Sequence, residues 1–368
     1  MFPAMPDRAP EAIDDETGGP IEAAVLIVSY NSRHYLDECL RSVLDSDDGP
    51  LVRRVVVVDN ASRDGSAAFV REQFPQVDVV ELDRNLGFAG GNNAGLDYLR
   101  QRYPSLTHLA LLNPDTVVRS GWLGELVEYL RRNPHVAAAQ VKLLMHPQTD
   151  RFNSAGNRCH YLGFGFVTAC GEQDRGQYDQ PRTIDFASGA ALVVDARRLD
   201  EVGLFDGRMF LYLEDTDLAW KLRLQGWQVA YVPSSVVYHK YAFDKNYRFY
   251  YYFERNRLYL LLIYYRMGTL LLLLPALLAM ELSQCLFALA RGLLGDRLRA
   301  YRWLLSPANQ AVIRARRRQV QRLRRVSDRE FMGGFAGRIE HAAVSGLARL
   351  ADAVFAAYWA VARRLIFW

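Results

Sequence analysis

The sequence predicts an α/β fold built on an open, mostly parallel sheet, and three observations carry that prediction. Short apolar runs rich in Val, Ile and Leu alternate, through the first half of the chain, with stretches whose apolar residues recur at helical spacing. The apolar runs are continuous, as strands covered by helices on both faces require. Several of them stop at Asn or Asp, which places polar residues where the chain leaves the core, at the carboxyl ends of the strands.

Taken in order, "AAVLIVSY" at 23–30 and "RRVVVVDN" at 53–60 read as buried strands. Between them "SRHYLDECLRSVLDS" sets Tyr35, Leu36, Cys39, Leu40, Val43 and Leu44 at helical spacing, which makes a β-α-β unit with a right-handed crossover. "SAAFVREQF" at 66–74 is a second helix, "VDVVEL" at 77–82 a third strand, "NNAGLDYLRQRY" a third helix and "THLALLN" a fourth strand. A helix at 121–132 follows, then "VAAAQVKLL" and "FASGAALVV" as strands. "LEDTDLAWKLRLQG" is an amphipathic helix with Leu218, Leu222 and Leu224 inward and Gly226 at its end, and "WQVAYVP" is the last strand.

The 368 residues, half of them apolar, suffice for a catalytic domain and an appendage. The net charge of +4 hides a division: residues 1–240 hold 24 Lys and Arg against 33 Asp and Glu, and residues 241–368 hold 21 against 8, so −9 is followed by +13. Four scattered cysteines at no metal-site spacing read as reduced and structural. The first twenty residues are rich in Pro, Asp, Glu and Gly and lack an apolar core, which predicts neither a signal peptide nor an anchor and leaves the bulk of the chain cytosolic. The expected organisation is a disordered segment at 1–21, a catalytic domain at 22–246 and a helical, basic, membrane-associating region at 247–368.

Three acidic clusters fall at one edge of the predicted sheet: Asp59 after the second strand, Asp115 after the fourth, and Glu214, Asp215 and Asp217 at a later helix start. Like charges gathered in one cleft persist only with a cation, a shared proton or a hydrogen-bonding ligand, and hard oxygen donors of this kind suit Mg²⁺ or Mn²⁺. Any one of them alone would read as a turn residue or a helix cap.

"IVSYNSRHYLDECLRSVL", "VVVVDNASRDGS", "NLGFAGGNNAGLDY", "LLNPDTVV" and "FASGAALVVDARRLDEVGLFDGRMFLYLEDTDLAWKLRLQGW" resemble, in that order, the motifs of family-2 glycosyltransferases of the GT-A fold, above all bacterial rhamnosyltransferases that act on lipid-linked glycans. The resemblance covers about residues 22–260 and rests on the ordered set. It implies that "NPD" stands where the family usually has Asp-x-Asp, so that Asp115 binds the metal on a nucleotide-sugar diphosphate, and Asn113, replacing the first Asp, faces the sugar or ribose. It also implies that Asp215 is the general base, with Glu214 beside it to position the acceptor or tune the base, and Asp217 a cap or acceptor contact. Displacement with a single base implies inversion at the anomeric carbon. His239 in "VVYHK" matches a histidine that completes the metal site in some relatives, and Asp59 resembles the residue that bonds the pyrimidine, with Tyr30, Asn31 and Ser32 lining the same cavity. "GFAGGNNAG" is no dinucleotide fingerprint; its glycines allow close backbone approach or simple turns, and Asn92 or Asn93 can bond the diphosphate or ribose. "SGA" at 188–190 is a tight turn or a loop facing the sugar.

The stretch at 258–290 is apolar, yet its longest uncharged run, Met267 to Met280, is shorter than the ~20 residues of a bilayer span. Pro275 is expected to kink it. A packed core helix, an interfacial or re-entrant membrane helix and a true span all fit. "RARRRQVQRLRR" at 314–325 suits anionic headgroups at the cytoplasmic face of the cell membrane, and no nucleic-acid-binding fold accompanies it. The terminal "LARLADAVFAAYWAVARRLIFW" is an amphipathic, aromatic helix, and the apolar helices are compatible with a homo-oligomer.

The function expected is therefore an inverting, metal-dependent transfer of L-rhamnose from a dTDP donor to a polyprenyl-diphosphate-linked acceptor. The alternatives are another donor (UDP-galactofuranose, a UDP-hexose or a GDP-sugar), a glycan- or nucleotide-binding scaffold without catalysis, and a nucleotidyltransferase. The last needs a basic phosphate loop for which "SYNSRHYL" is a poor candidate.

Overall fold

A computed structural model describes residues 21–240, 249–338 and 346–368, so the expected boundary at 246/247 and nearly all of segment 1–21 lie outside the described residues. The strands are β1 (Ala23–Ser29), β2 (Arg53–Asp59), β3 (Asp78–Glu81), β4 (His108–Leu112), β5 (Thr116–Val118), β6 (Val136–Met145), β7 (Phe152–Ser154), β8 (Asn157–Cys159), β9 (Gly165–Val167), β10 (Arg182–Ile184), β11 (Ala191–Asp195) and β12 (Gln228–His239). The helices that cover them are α1 (Arg33–Leu44), α2 (Ser66–Gln73), α3 (Gly87–Arg102), α4 (Trp122–Arg132), the short α5 (Leu199–Val202) and α6 (Glu214–Leu224).

One ten-stranded sheet runs β10-β12-β6-β11-β4-β1-β2-β3, with β5 on β12 and β7 on β6. The β4-β1-β2-β3 half is parallel, as the alternation of elements dictates. Side chains alternate strictly along β1: Ala24, Leu26 and Val28 enter the core under α3 and α6, and Ala23, Val25 and Ile27 the core under α1, α2 and α4.

Three elements differ from the sequence reading. The expected strand "FASGAALVV" is a loop up to Ala190, and β11 then runs antiparallel between β4 and β6. "WQVAYVP" does not stop at its proline: β12 continues to His239 through a register shift against β6 between Val232 and Val236, a bulge that tolerates the missing N–H of Pro233. "GFAGGNNAG" is the first half of α3 and not a loop. Its glycines let the helix lie on the sheet, since a Cβ on Gly95 would stand 2.3 Å from Leu26 Cδ1 and one on Gly91 2.7 Å from Val28 Cγ1.

Beyond the sheet follow α7 (Tyr250–Tyr264), α8 (Met267–Ala290), α9 (Leu294–Leu305), α10 (Pro307–Leu323), α11 (Asp328–Phe331) and α12 (Gly346–Leu365). They extend the α3/α6 core, where Trp220 packs against Tyr264, Tyr265, Phe331 and Phe335. Among the described residues α8 is the one helix long and apolar enough to cross a membrane. Its inner face, Thr269, Leu273, Ala276 and Met280, is buried, and Leu271, Leu278, Leu282, Leu286 and Leu289 on the outer face are each 60–63% exposed. Glu281 on the same helix is tied to the body by Arg257 (2.5 Å) and by Arg297.

The arginine run also differs from expectation. Arg316 pairs with Asp206 (3.3 Å) and lies 3.7 Å from Asp217, Arg317 donates to the Leu262 carbonyl, and Arg324 pairs with Asp328 (2.7 Å). These three turn inward, and Arg314, Arg318, Arg322 and Arg325 form the exposed set.

Candidate active site

Because β1, β2 and β4 are parallel, their carboxyl ends share one edge, and antiparallel β11 begins there. At this edge the loops after β1 and β2 are stitched together. The Asn60 N–H donates to Ser29 O (2.8 Å), the Asn31 N–H to Ser62 Oγ (3.0 Å), and Asn31 Oδ1 accepts from the Arg63 N–H (2.8 Å). Asn31 takes the left-handed conformation (φ 53°) to do this. Asp59, 4% exposed, accepts from the Ser62 N–H through Oδ2, and its buried Oδ1 has no hydrogen-bond partner among the described residues. Ser32 Oγ donates to Tyr30 O, leaving the Tyr30 ring half exposed beside the loop.

Asn92 and Asn93, expected to meet the donor, are engaged internally. Asn92 Nδ2 donates to Phe88 O within α3, and Asn93 holds Phe205 at two points, Nδ2 to O (2.9 Å) and Oδ1 from N–H (3.1 Å). Asn60, which the sequence reading passed over, fixes the entry to α3: Nδ2 donates to Asn85 Oδ1 and Gly87 O, and Oδ1 accepts from the Leu86 N–H.

The turn after β4 makes the second corner. Asn113 donates its N–H to Ala190 O (2.9 Å) and accepts from Thr116 Oγ1 (2.7 Å), which reverses the chain into β5. Pairing of β5 with β12 sets Thr116 opposite His239, and so brings His239 Nε2 to 3.4 Å from Asp115 Oδ1. Asn153 Oδ1 lies 3.1 Å from His239 Nδ1. When Nδ1 donates to that oxygen, Nε2 is left as an acceptor beside the Asp115 carboxylate, an arrangement that suits a divalent cation. Among the described residues no group of three or more His, Cys, Asp or Glu converges, so a metal here would draw its other ligands from the diphosphate and water.

The third corner is the start of α6. Phe210, Tyr212 and Leu213 all have positive φ (64°, 69° and 66°), a strain of about 1–3 kcal/mol each that the surroundings must hold. The carbonyls of this loop are held by Arg255 and Asn256 on α7. They belong to "ERNR", a stretch the sequence reading assigned to the appendage; charged and amide residues in an otherwise aromatic, apolar helix were the available signal. Asp215 accepts from the Thr216 N–H through Oδ1 (2.7 Å) and from the Gly189 N–H through Oδ2 (3.2 Å). Gly189 precedes Ala190, whose carbonyl binds Asn113, so the loop before β11 links Asp215 to the Asp115 corner.

Burial pushes the Glu214 carboxyl well above its ordinary value, and the charge of Asp215 raises it further. Asp215 is raised by burial too, but its backbone hydrogen bonds oppose the shift. The pair therefore holds a proton more readily than two free carboxylates would. Asp217 is fully buried and structural: it meets Lys221 (3.2 Å), accepts from the Tyr264 hydroxyl (2.7 Å) and faces Arg316.

Comparison with known proteins agrees with this geometry. Residues 20–257 match the family model described as glycosyltransferase like family 2. The N-acetylglucosaminyl-diphospho-decaprenol L-rhamnosyltransferase of Mycobacterium tuberculosis is 27% identical over 233 residues, 58% of this chain and 75% of that enzyme. The poly-beta-1,6-N-acetyl-D-glucosamine synthase of Staphylococcus aureus is 21% identical over 62% of this chain and 51% of its own. Among solved structures, GalNAc-T7 with UDP, GalNAc and Mn²⁺ superposes with a TM-score of 0.54 at 15% identity, covering 68% of this chain and 48% of that one, which shows a shared GT-A-like fold.

Proposed function

The chain belongs to glycosyltransferase family 2 and is a glycosyltransferase; we propose that it transfers L-rhamnose from dTDP-L-rhamnose to a polyprenyl-diphosphate-linked glycan, with inversion. The mycobacterial relative, named for transfer of L-rhamnose to a decaprenyl-diphosphate-linked sugar, supports the choice of donor and acceptor. The observation that carries the reaction is Asp215. Its carboxylate stands at the start of α6 beside Glu214, held by the Gly189 N–H on the edge where Asp115 and His239 meet.

In this reading Asp215 takes the proton from the acceptor hydroxyl as that oxygen attacks the anomeric carbon from the face opposite the leaving nucleotide. Glu214, protonated, is a donor that can hold the acceptor without adding charge. Asp59 Oδ1 and the Tyr30 ring take the nucleoside, Asp59 as acceptor for a base N–H, with Asn31 and Ser32 shaping the loop. Asn113 faces the sugar or ribose. Asp115 and His239 would hold Mg²⁺ or Mn²⁺, which supplies neutralisation of the charge on the departing diphosphate. The internal bonds of Asn92 and Asn93 argue for a supporting role, so the diphosphate contacts fall to the metal corner.

The chain is also read as a protein of the cytoplasmic membrane face, lying on it edge-on. The apolar stripe of α8 is open along its length, and its opposite face is packed and tied through Glu281, so insertion of one helix face into a single leaflet fits better than a span. Exposed Val354, Val361, Leu365 and Phe367 at the C-terminus add to the apolar surface.

A donor panel of dTDP-L-rhamnose, UDP-galactofuranose, UDP-hexoses and GDP-mannose with Mn²⁺ and a short prenyl-diphosphate-linked N-acetylglucosamine tests the reaction, with product configuration read by NMR. Turnover with dTDP-L-rhamnose and an inverted product is expected. Another preferred donor would reassign the sugar, a retained configuration would overturn the single-base mechanism, and binding without turnover of any donor would return the chain to a scaffold.

A further inference from the structure

The geometry points to Asn256 as a positioning residue for the general base, acting through the loop that carries it; this rests on the reading of Asp215 as that base. Asn256 sits on α7, 1% exposed, and its Nδ2 donates to three carbonyls, Met209 (3.0 Å), Leu211 (3.0 Å) and Tyr212 (2.8 Å). Its Oδ1 accepts from Arg255 Nε (2.9 Å) and Nη2 (2.7 Å), and the same Nη2 reaches the carbonyls of Arg208 and Met209 (2.8 Å each). Four carbonyls within five residues thus converge on one Arg–Asn unit.

They converge because of the backbone strain. Left-handed conformations at Phe210, Tyr212 and Leu213 turn carbonyls to one side that an extended or helical chain would point apart. Without donors these convergent, partly buried carbonyls would repel one another and the loop would relax. The fourth side of the loop is pinned as well: the Ala89 N–H donates to Phe210 O (3.2 Å), and the Phe210 ring stacks on Tyr252 of α7 at 5.1 Å. Glu214 and Asp215 come next in the chain, so the direction in which α6 starts, and with it the Asp215 to Gly189 hydrogen bond, is set by what α7 holds.

Asn256→Asp is nearly isosteric and turns donors into acceptors facing carbonyls; Asn256→Ala removes them. Both are to be examined in the full chain with dTDP-L-rhamnose, Mn²⁺ and the short prenyl-diphosphate acceptor. Turnover per folded molecule should fall on the order of 10–100-fold, as misplacement of a reacting group does, while donor KM holds. The acid limb of the pH–kcat profile should move to higher pH, because Asp215 loses the Gly189 N–H that favours its charged form. Amide hydrogen exchange in 208–216 should rise with β1, β2 and β4 unchanged. Unchanged exchange there, or a loss of turnover that only follows the folded fraction with the acid limb in place, would overturn the proposal. If Asp215→Asn keeps full turnover, the base assignment fails instead, and the exchange measurement still decides whether the clamp exists. Should neither Asn256 variant fold, Arg255→Lys, which keeps the charge and drops the fork, gives the same readouts on a smaller scale.

Discussion

Asp115 with His239, and Glu214 with Asp215, lie on one edge of the sheet and are built in opposite ways. The first pair is placed by strand pairing: β4 ends, the chain turns at Asn113, and the β5–β12 ladder delivers His239 opposite Thr116. The second pair is placed by a strained loop held from α7, some forty residues further along the chain. A corner made by a ladder inherits the rigidity of the sheet. A corner made by a clamp can be moved without touching the sheet, and its chemistry then depends on the helical region that follows the catalytic fold.

The sharpest break between the corners is expected at Asp215. Asp215→Asn should lower turnover by roughly 10²–10⁴-fold with donor binding kept, measured as kcat beside calorimetric donor affinity. Glu214→Gln imitates the protonated form of Glu214 and should keep most of the activity. It should also alter stability in a defined direction. A carboxyl raised in the folded state favours folding at low pH, and that contribution is lost as pH rises from the ordinary glutamate value through the raised one. The glutamine variant should therefore show a flatter melting temperature above about pH 5.

The metal corner should respond differently. Asp115→Ala and His239→Ala should each raise the Mn²⁺ concentration for half-maximal activity, and Asn153→Ala, which removes one contact that orients the His239 ring, should do so more weakly. A response from Asp115 alone would make His239 part of the ladder and nothing more.

Next in size is the contrast between inward and outward arginines. Removing the charge in Arg316→Gln leaves Asp206 and Asp217 buried with one cation fewer, and a broken buried pair costs about 3–5 kcal/mol. Burial works against the Asp206 charge, yet Arg316 and the Tyr259 hydroxyl hold that carboxyl below its ordinary value. This contribution is present above the unfolded aspartate pKa and disappears as pH falls, the reverse of Glu214, so Arg316→Gln should lose most stability at neutral pH. The outward Arg318→Gln and Arg322→Gln should stay within about 0.5 kcal/mol of the parent in stability. They should weaken flotation with phosphatidylglycerol vesicles by about 1 kcal/mol per charge. If Leu278→Glu leaves flotation intact, α8 does not enter the leaflet.

The parallel half of the sheet was legible because each strand is a continuous apolar run followed by a helix of clear period. Antiparallel β11 was not, since its apolar content is the same whichever way it runs. Asp115 and Asp215 stood out as carboxylates where apolar runs end. Asn92 and Asn93 were harder to read, because an amide on the first turns of a helix looks the same in sequence whether it faces a ligand or, as Asn93 does, a neighbouring backbone. The arginine run fits one sequence pattern and two fates: Arg314, Arg318 and Arg322 fall on one ridge of α10, while Arg316 and Arg317 turn toward buried acids and carbonyls that no local spacing reveals.

Similarity to the family ends near residue 257, but the charge balance of α6 does not. Tyr264 and Arg316, both beyond that point, serve Asp217, and Arg316 serves Asp206 as well. A protein clipped at the similarity boundary to shed its greasy helices would keep every group proposed for the reaction. It would also leave Asp206 without Arg316 and Asp217 with Lys221 as its remaining cation. The transplantable module, for swapping acceptor preferences between relatives or for fusion to another enzyme, therefore runs at least through α10, and solubility is better sought by recolouring the outer face of α8 than by cutting.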